Sequence, residues 1–334
     1  VGNWSDSQTV RIDIEGHGRE MLFEDIDTTR TVGWFTTISP VIIPVYKDQT
    51  NVQRLKQVKD TMKIRPRNGI GYGLLSEQLG ANVTNQSEIS FNYLGHLKKG
   101  NDSYNFEMDK AGPDWDPNNK RPYLIDVVGR ISDGKLYLNW NYCSQIHSQK
   151  EIEHVAAMAF DMLEKLVKEA REPKVQGYSP SDFPIADMTQ DQADQMVNVL
   201  QMTESWKRVN KVRPIQDCYP QTPIQQGLWF QSFISEGKGD YHVQSVFSIK
   251  QSIDSAILNE AFAQVMRKHT ILRTNFWEDT EGNAYQLVWD YFKPEIVEED
   301  WTNNFDVDQK LDEYLLQDRE NSFSPEDLPQ WRVL

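Results

Sequence analysis

The sequence predicts an α/β chain of the α+β kind, with mixed sheets, arranged as two half-domains. Three observations carry that reading. Large residues stand at every even position of Lys135-Leu136-Tyr137-Leu138-Asn139-Trp140-Asn141-Tyr142, the period of a strand packed on one face. Asn51 to Ile64 carries Val52, Leu55, Val58 and Met62 at near-helical spacing. The alternation of strand and helix patterns then restarts after residue 214, beyond a stretch of different texture. A length of 334 residues suits about two domains at ~150 residues each.

Taken in order, Gly33 stands between Val32 and the aromatics Trp34 and Phe35, which reads as a strand with a close backbone contact. Arg65-Pro66-Arg67-Asn68-Gly69-Ile70-Gly71-Tyr72-Gly73 reads as a bent loop leading to a second helix near Leu74. Ile89 to Leu94 and Tyr123 to Val128 read as strands. Ser148 is placed to cap a helix whose buried stripe is Ile152, Val155, Ala159, Met162, Leu166 and Val167. That helix ends before Pro173. Lys174 to Pro184, rich in Ser, Pro and Gly, reads as a linker. A polar helix from about Gln190 to Trp206 follows, and a second break lies at Val209 to Pro214. The expected organisation is 1–173, a first half-domain; 174–213, an interdomain linker with a helix; and 214–334, a second, truncated half-domain. In the last region Val243, Ser245, Phe247 and Lys250 lie in a strand-like run. Ile253 to Lys268 reads as an amphipathic helix carrying Ile257, Leu258, Ala261, Phe262, Val265 and Met266. No internal repeat is visible.

Composition narrows the function classes. Hydrophobic residues are 38% of the chain and aromatics 11%, enough for a sizeable core and too much for a disordered chain. Fifty acidic against 35 basic side chains give a net charge of -15. Such a chain repels phosphate backbones and anionic lipid, so neither nucleic acid nor membrane is an expected partner. No apolar run approaches the ~20 residues of a membrane helix. Residues 251–334 hold 18 acidic and 7 basic side chains, a solvated acidic face or a docking surface for a basic partner. Cys143 and Cys218 are read as two reduced thiols of a cytoplasmic protein. The six histidines show no metal-ligand spacing, so no metal is expected. The sequence opens at Val1 without an initiator Met or a signal pattern, and is expected to be a piece of something longer. The Asn-x-Ser/Thr matches at Asn3, Asn82, Asn85 and Asn101 are then read as chance.

Candidate chemistry begins with Asp13-Ile14-Glu15-Gly16-His17-Gly18-Arg19-Glu20. Here a carboxylate, an imidazole and a guanidinium lie within five residues, and glycines between them permit close approach. Held together, these groups could do general acid/base work; the plain alternative is a polar turn with an Arg–Glu pair. Gly69, Gly71 and Gly73 are not a dinucleotide fingerprint, because the third glycine falls one position early, and no Gly-Lys-Ser/Thr follows to make a phosphate loop. Phe91-Asn92-Tyr93-Leu94-Gly95 ends a strand with an amide and a phenol able to hydrogen-bond a carbonyl oxygen or exchange a proton.

Individually these motifs are weak, but their order is specific. Over about 1–185, the Glu15 motif, Arg30-Thr31-Val32-Gly33-Trp34-Phe35-Thr36, the Pro66 to Gly73 loop, Phe91 to Gly95 and Pro180-Ser181-Asp182-Phe183-Pro184 resemble the C-terminal lobe of an epimerization domain of non-ribosomal peptide synthetases. Over about 214–334, Cys218-Tyr219-Pro220-Gln221-Thr222-Pro223-Ile224-Gln225-Gln226-Gly227-Leu228-Trp229-Phe230 resembles the opening motif of a condensation domain. Arg267 to Phe276 resembles its second motif, and Pro329 to Leu334 the strand that follows. Both families carry a His-His-x-x-x-Asp-Gly motif, and this sequence contains no His-His pair.

The resemblance implies lobes like those of chloramphenicol acetyltransferase, with a tunnel between the two lobes of a complete domain. It implies epimerization at Cα of an aminoacyl or peptidyl thioester, delivered on the phosphopantetheine arm of a peptidyl carrier domain, with no directly bound cofactor. A condensation domain downstream would form the peptide bond. Glu15 would be one proton-transfer group, Arg19 would orient it, and Asn92 and Tyr93 would line the site. His17, Trp34, Gly71 and Tyr72 would shape the tunnel. Tyr219, Gln225, Gln226 and Arg273 would pack the second lobe. The partners would be the carrier domain and the missing N-lobe and C-lobe of the same synthetase, and the fragment alone is expected to be inactive. Two alternatives stand: an amide-forming condensation C-lobe in the first region, or a non-catalytic module that docks a carrier domain.

Overall fold

A computed structural model describes residues 1–78, 87–97, 116, 118–172, 177–234, 241–303 and 306–334. The chain divides into two units, Val1–Glu172 and Pro173–Leu334. The sequons at Asn82, Asn85 and Asn101 lie outside the described residues.

In the first unit a short helix α1 (Gly2–Ser5) leads into β1 (Thr9–Gly16) and β2 (Thr37–Pro44). There follow α2 (Asn51–Lys63), α3 (Tyr72–Gln78), β3 (Ile89–Leu97), β4 (Ile125–Ser132), β5 (Lys135–Tyr142) and α4 (Gln149–Ala170). The five strands form one mixed sheet in the order β2-β1-β3-β4-β5. The outer pairs are antiparallel, and β1/β3 and β3/β4 are parallel.

Strand alternation sorts the side chains onto two faces. Ile125 and Val127 are buried against Ile152 of α4, with Ile89, Phe91, Trp140 and Tyr142 packed around them. Val41 and Ser39 are buried on this same covered face. The α2 helix lies there too, since Asn51 Nδ2 donates to Glu169 at the end of α4 (2.7 Å) and Arg65 donates to Ser39 (3.1 Å). Both long helices begin as the sequence indicates. Thr50 with Gln53, and Ser148 with Glu151, form reciprocal capping boxes. In α4, Ile152 and Val155 are buried, whereas Val167 is exposed.

Gly69 shows why the loop before α3 needs a glycine. Its φ is +83°, and a Cβ there would lie 2.1 Å from Ser39 Oγ. The stretch from Arg30 to Thr36 is not the expected strand. It is a loop, with Val32 and Trp34 100% and 90% exposed, and β2 starts only at Thr37.

The second unit contains α5 (Gln190–Leu200), α6 (Glu204–Val209), β6 (Ile215–Pro220), α7 (Pro223–Ile234), α8 (Ser255–Lys268), β7 (Thr274–Glu278), β8 (Ala284–Trp289) and α9 (Val307–Glu320). Its antiparallel sheet has the order β6-β8-β7. The core is one cluster around Trp289, whose indole N–H donates to Asn275 Oδ1 (2.6 Å) and whose ring meets Trp206 edge to face at 6.3 Å.

The segment expected to be a linker is part of this core. Tyr178, Phe183, Ala186, Met188, Ala193, Met196, Leu200 and Val209 are all buried with Ile215, Cys218, Leu287 and Trp289. Its Ser-Pro composition encodes a capped turn rather than a tether, since Ser179 and Asp182 cap a short 3-10 turn at Pro180–Asp182. The single helix expected over Gln190 to Trp206 is two. The first ends at Leu200, and Thr203 caps the second.

Three further expectations differ. The run 243–250 pairs with no strand among the described residues, and Val243 and Phe247 are 85% and 81% exposed. In α8 Met266 of the expected stripe is buried, but Ala263, outside that stripe, is buried with it while Ile257 and Val265 face outward. Apolar periodicity marks a face but does not say which part of it finds a neighbour. Residues 329–334 form no strand beyond a single bridge between Val333 and Ile296.

Candidate functional site

The opposite face of the first sheet is polar, and it holds the candidate site. Asp13 on β1, Ser90 on β3 and Asp126 on β4 stand in one row, each directly opposite the next. Two residues further along, Glu15 follows on β1 and Asn92 on β3. Period-two alternation sends all five to the same side. At the β2 edge this face carries Ile38, Pro40 and Ile42, with Ile38 and Ile42 exposed.

Hydrogen bonds tie the row together. Ser87 Oγ donates to Asp13, and Tyr123 Oη donates to the other oxygen of Asp13 at 3.0 Å. Ser90 Oγ donates to Asp126. Asn92 on β3 lies beside Glu15 on β1, one position on from the Ile14–Phe91 pair. Burial pushes the Glu15 carboxyl above the usual range and the Asp126 charge adds to the rise, with the Asn92 amide opposing both. Tyr123 is pushed far up by burial, by its bond to Asp13 and by the charges of Asp13, Asp126 and Glu15, so its phenol stays a donor at neutral pH. Chemically, this is a carboxyl poised to exchange a proton, with an amide beside it. Among the described residues no group of three His, Cys, Asp or Glu side chains is arranged to hold a metal ion.

The other predicted residues are distributed as follows. Arg19 does not orient Glu15. Its guanidinium donates to the carbonyls of Thr28 and Gly33 (3.4 Å for the second) and lies 4.2 Å above the Phe35 ring, so it holds the loop rather than the carboxyl. Gly18 makes that fold-back feasible: φ is +64°, and a Cβ would sit 1.6 Å from the Phe35 carbonyl oxygen. His17 Nδ1 accepts from the Arg19 N–H at 2.9 Å while its side chain stays 71% exposed. Tyr93 turns to the face opposite Asn92, where its ring lies over Gly129. Adjacent residues of a strand cannot share a face, so only Asn92 joins Glu15. Trp34 is exposed in its loop; Gly71 precedes and Tyr72 begins α3.

In the second unit, Gln225 Nε2 donates to Gln286 Oε1 (2.9 Å), and Gln225 Oε1 accepts from the Thr222 backbone N–H at the start of α7. Gln226 Nε2 donates to the Gln221 carbonyl oxygen (3.3 Å). Burial and the nearby Asp217 and Cys218 push the half-buried Tyr219 phenol up. Arg273 is buried and donates to the carbonyls of Trp289 and Met266 and to Gln216. These contacts are internal packing. Gln225 also borders a cavity of about 330 Å³ shared with Trp229, His242, Phe276 and Phe323.

Asp13, Ser87, Ser90, Tyr123 and Asp126 were not singled out from sequence. The signal available was the alternation of short polar residues at Asp13/Glu15 and Ser90/Asn92. It becomes a site only once the parallel register aligns the strands.

The comparisons with known proteins agree across the chain. A family model described as Condensation domain matches residues 1–189 and 215–334. One of the linear gramicidin synthase polypeptides of Brevibacillus parabrevis is 33% identical, with 100% of this chain and 6% of that protein covered. A mycosubtilin synthase polypeptide of Bacillus subtilis is 30% identical over 97% of this chain and 12% of its own length. The chain therefore spans a small fraction of these relatives. A solved epimerization domain, from the third module of tyrocidine synthetase B, is 31% identical with a TM-score of 0.46, covering 50% of this chain and 39% of that one.

Proposed function

The chain belongs to the condensation-domain family, and from that premise we propose that its first unit is the C-terminal lobe of an epimerization domain in a non-ribosomal peptide synthetase. The second unit, on this reading, is the N-terminal lobe of the condensation domain that follows. The substrate is an aminoacyl or peptidyl thioester held on the phosphopantetheine arm of a carrier domain.

The observation that carries the reading is Glu15. It is a carboxyl with a raised pKa, beside an amide on the neighbouring strand, on the open face of a sheet. A proton on Cα beside a thioester is weakly acidic, and its removal leaves the electron pair delocalised onto the thioester oxygen as an enolate. Glu15 as carboxylate takes that proton. Return of a proton to the opposite face of Cα completes the inversion, and no atoms are gained or lost. A carboxylate whose pKa is raised is a stronger proton acceptor. Asn92, adjacent to Glu15, can donate to the developing oxyanion. The opposite-face group is assigned, by the family resemblance, to a His-His-x-x-x-Asp-Gly motif outside this sequence.

The test is solvent deuterium incorporation at Cα of a carrier-bound thioester, measured with the full-length synthetase. Glu15→Gln is expected to lower incorporation by about 100-fold or more, the usual weight of a general base. Unchanged incorporation would remove Glu15 from the chemistry. Peptide-bond formation with no incorporation in the wild type would make the first unit an amide-forming lobe instead.

A further inference from the structure

The open face of the first unit carries an acidic side chain that the chemistry above does not use. Asp126 shares its row with Ser90 and Asp13. Ser90 donates to it, which fixes its carboxylate against β3. Asp13 is already engaged by Ser87 and Tyr123. The groups facing Glu15 can be named strand by strand. On β1 they are Asp13 and, beyond it, Arg11; on β3, the neutral Ser90 and Asn92; on β4, Asp126, Val128 and Arg130, whose guanidinium is turned to β5, 5.2 Å from the Tyr137 ring; and before β4, Tyr123. The neighbouring β2 offers Ile38, Pro40 and Ile42, and β5 offers Lys135, Tyr137, Asn139 and Asn141.

We propose that Asp126 is a positioning residue for proton transfer at Glu15: seated by Ser90, it governs the pH at which that carboxyl gives up its proton. This rests on Glu15 being a proton-transfer group. Two like charges on one partly dried face resist ionising together, so the fixed one keeps the proton on the other. The charge of Asp126 adds to the rise that burial causes at Glu15. Asp13 stands in the row of Asp126, and Glu15 follows two residues after Asp13 on β1, so all three carboxylates share one face of the sheet. Asp126 need not touch substrate to act in this way.

The experiment reads the pH profile of Cα deuterium incorporation in the full-length synthetase for Asp126→Asn, Asp126→Ser and Asp126→Glu. The two neutral variants are expected to move the ascending limb to lower pH by on the order of half a unit. Asp126→Glu, which keeps the charge, should stay near the wild-type profile. A direct readout is the pH titration of the Glu15 carboxyl carbon by NMR in this chain, its signal assigned by loss in Glu15→Gln. Its midpoint should fall by the same amount in Asp126→Asn and Asp126→Ser. A midpoint that stays in place in whichever neutral variant folds overturns the proposal. Should Glu15→Gln retain wild-type exchange, the functional reading falls, and the inference built on it falls too. Should Glu15→Gln abolish exchange while the neutral variants leave profile and midpoint unmoved, only the inference falls.

Discussion

The phenol oxygen of Tyr178 accepts the backbone N–H of Ile215 at 2.8 Å. This bond joins a turn that composition marks as a tether to the first residue of β6. Tyr178 is buried beside Phe183, with ring centroids 5.0 Å apart, and Arg213 lies 4.6 Å above its ring. Burial pushes its phenol up to about 12, so it remains protonated through the working pH range.

Phe183 is therefore a core residue of the second unit. Phe183→Ala is expected to cost about 3–5 kcal/mol, the range for removing a fully buried phenyl ring. Hydrogen exchange read by mass spectrometry should show lost protection in 190–220 and 284–289, with 125–142 of the first unit unchanged. Protection lost only in 177–189 would make the segment a tether after all.

Asp318 sets an acid limit on the second unit. Burial pushes its carboxyl up, but hydrogen bonds from Gln244, Arg332 and His242 outweigh that and hold it below the usual range. A depressed folded-state pKa stabilises the ionised fold. That contribution is complete above the unfolded value, about 3.9, and is lost as pH falls through the folded one. Asp318→Asn should lower the unfolding midpoint in urea at pH 7. The gap between variant and wild type should then narrow as the pH is taken below about 4. A gap independent of pH would assign the loss to packing.

Gly18 holds the loop that Arg19 closes. Gly18→Ala puts a Cβ against the Phe35 carbonyl at a positive φ. A loss of more than about 1 kcal/mol is expected, with faster amide exchange at the N–H groups of 19–36. The turn would have to be remodelled if exchange there stayed at the wild-type rate.

Much of the fold is local and was legible in the sequence. The cap at Ser148, the helical spacing of 51–64 and the alternation of Lys135–Tyr142 are set by residues within a few positions of each other. Glu15 and Asn92, singled out by their motifs, stand on the same face of the sheet. Arg19 was misread because its guanidinium reaches 14 residues along the chain, to Gly33, rather than back to its neighbour. Tyr93 was misread because a motif names adjacent residues while a strand sends them to opposite faces.

By itself, then, the sequence determined where α2 and α4 start, the strands at 89–94 and 135–142 and the order of the chemistry-bearing motifs, since these depend on nearest neighbours and on periods of 2 and 3.6. The tertiary structure decided which strands lie side by side. The parallel pairing of β1, β3 and β4 brings Asp13, Ser90 and Asp126 into one row across more than 110 residues of chain. It also decided that Tyr178 to Val209 belongs to a core. The physical reason in both cases is that register and burial are chosen by the whole set of apolar surfaces being covered together, a property no single segment carries.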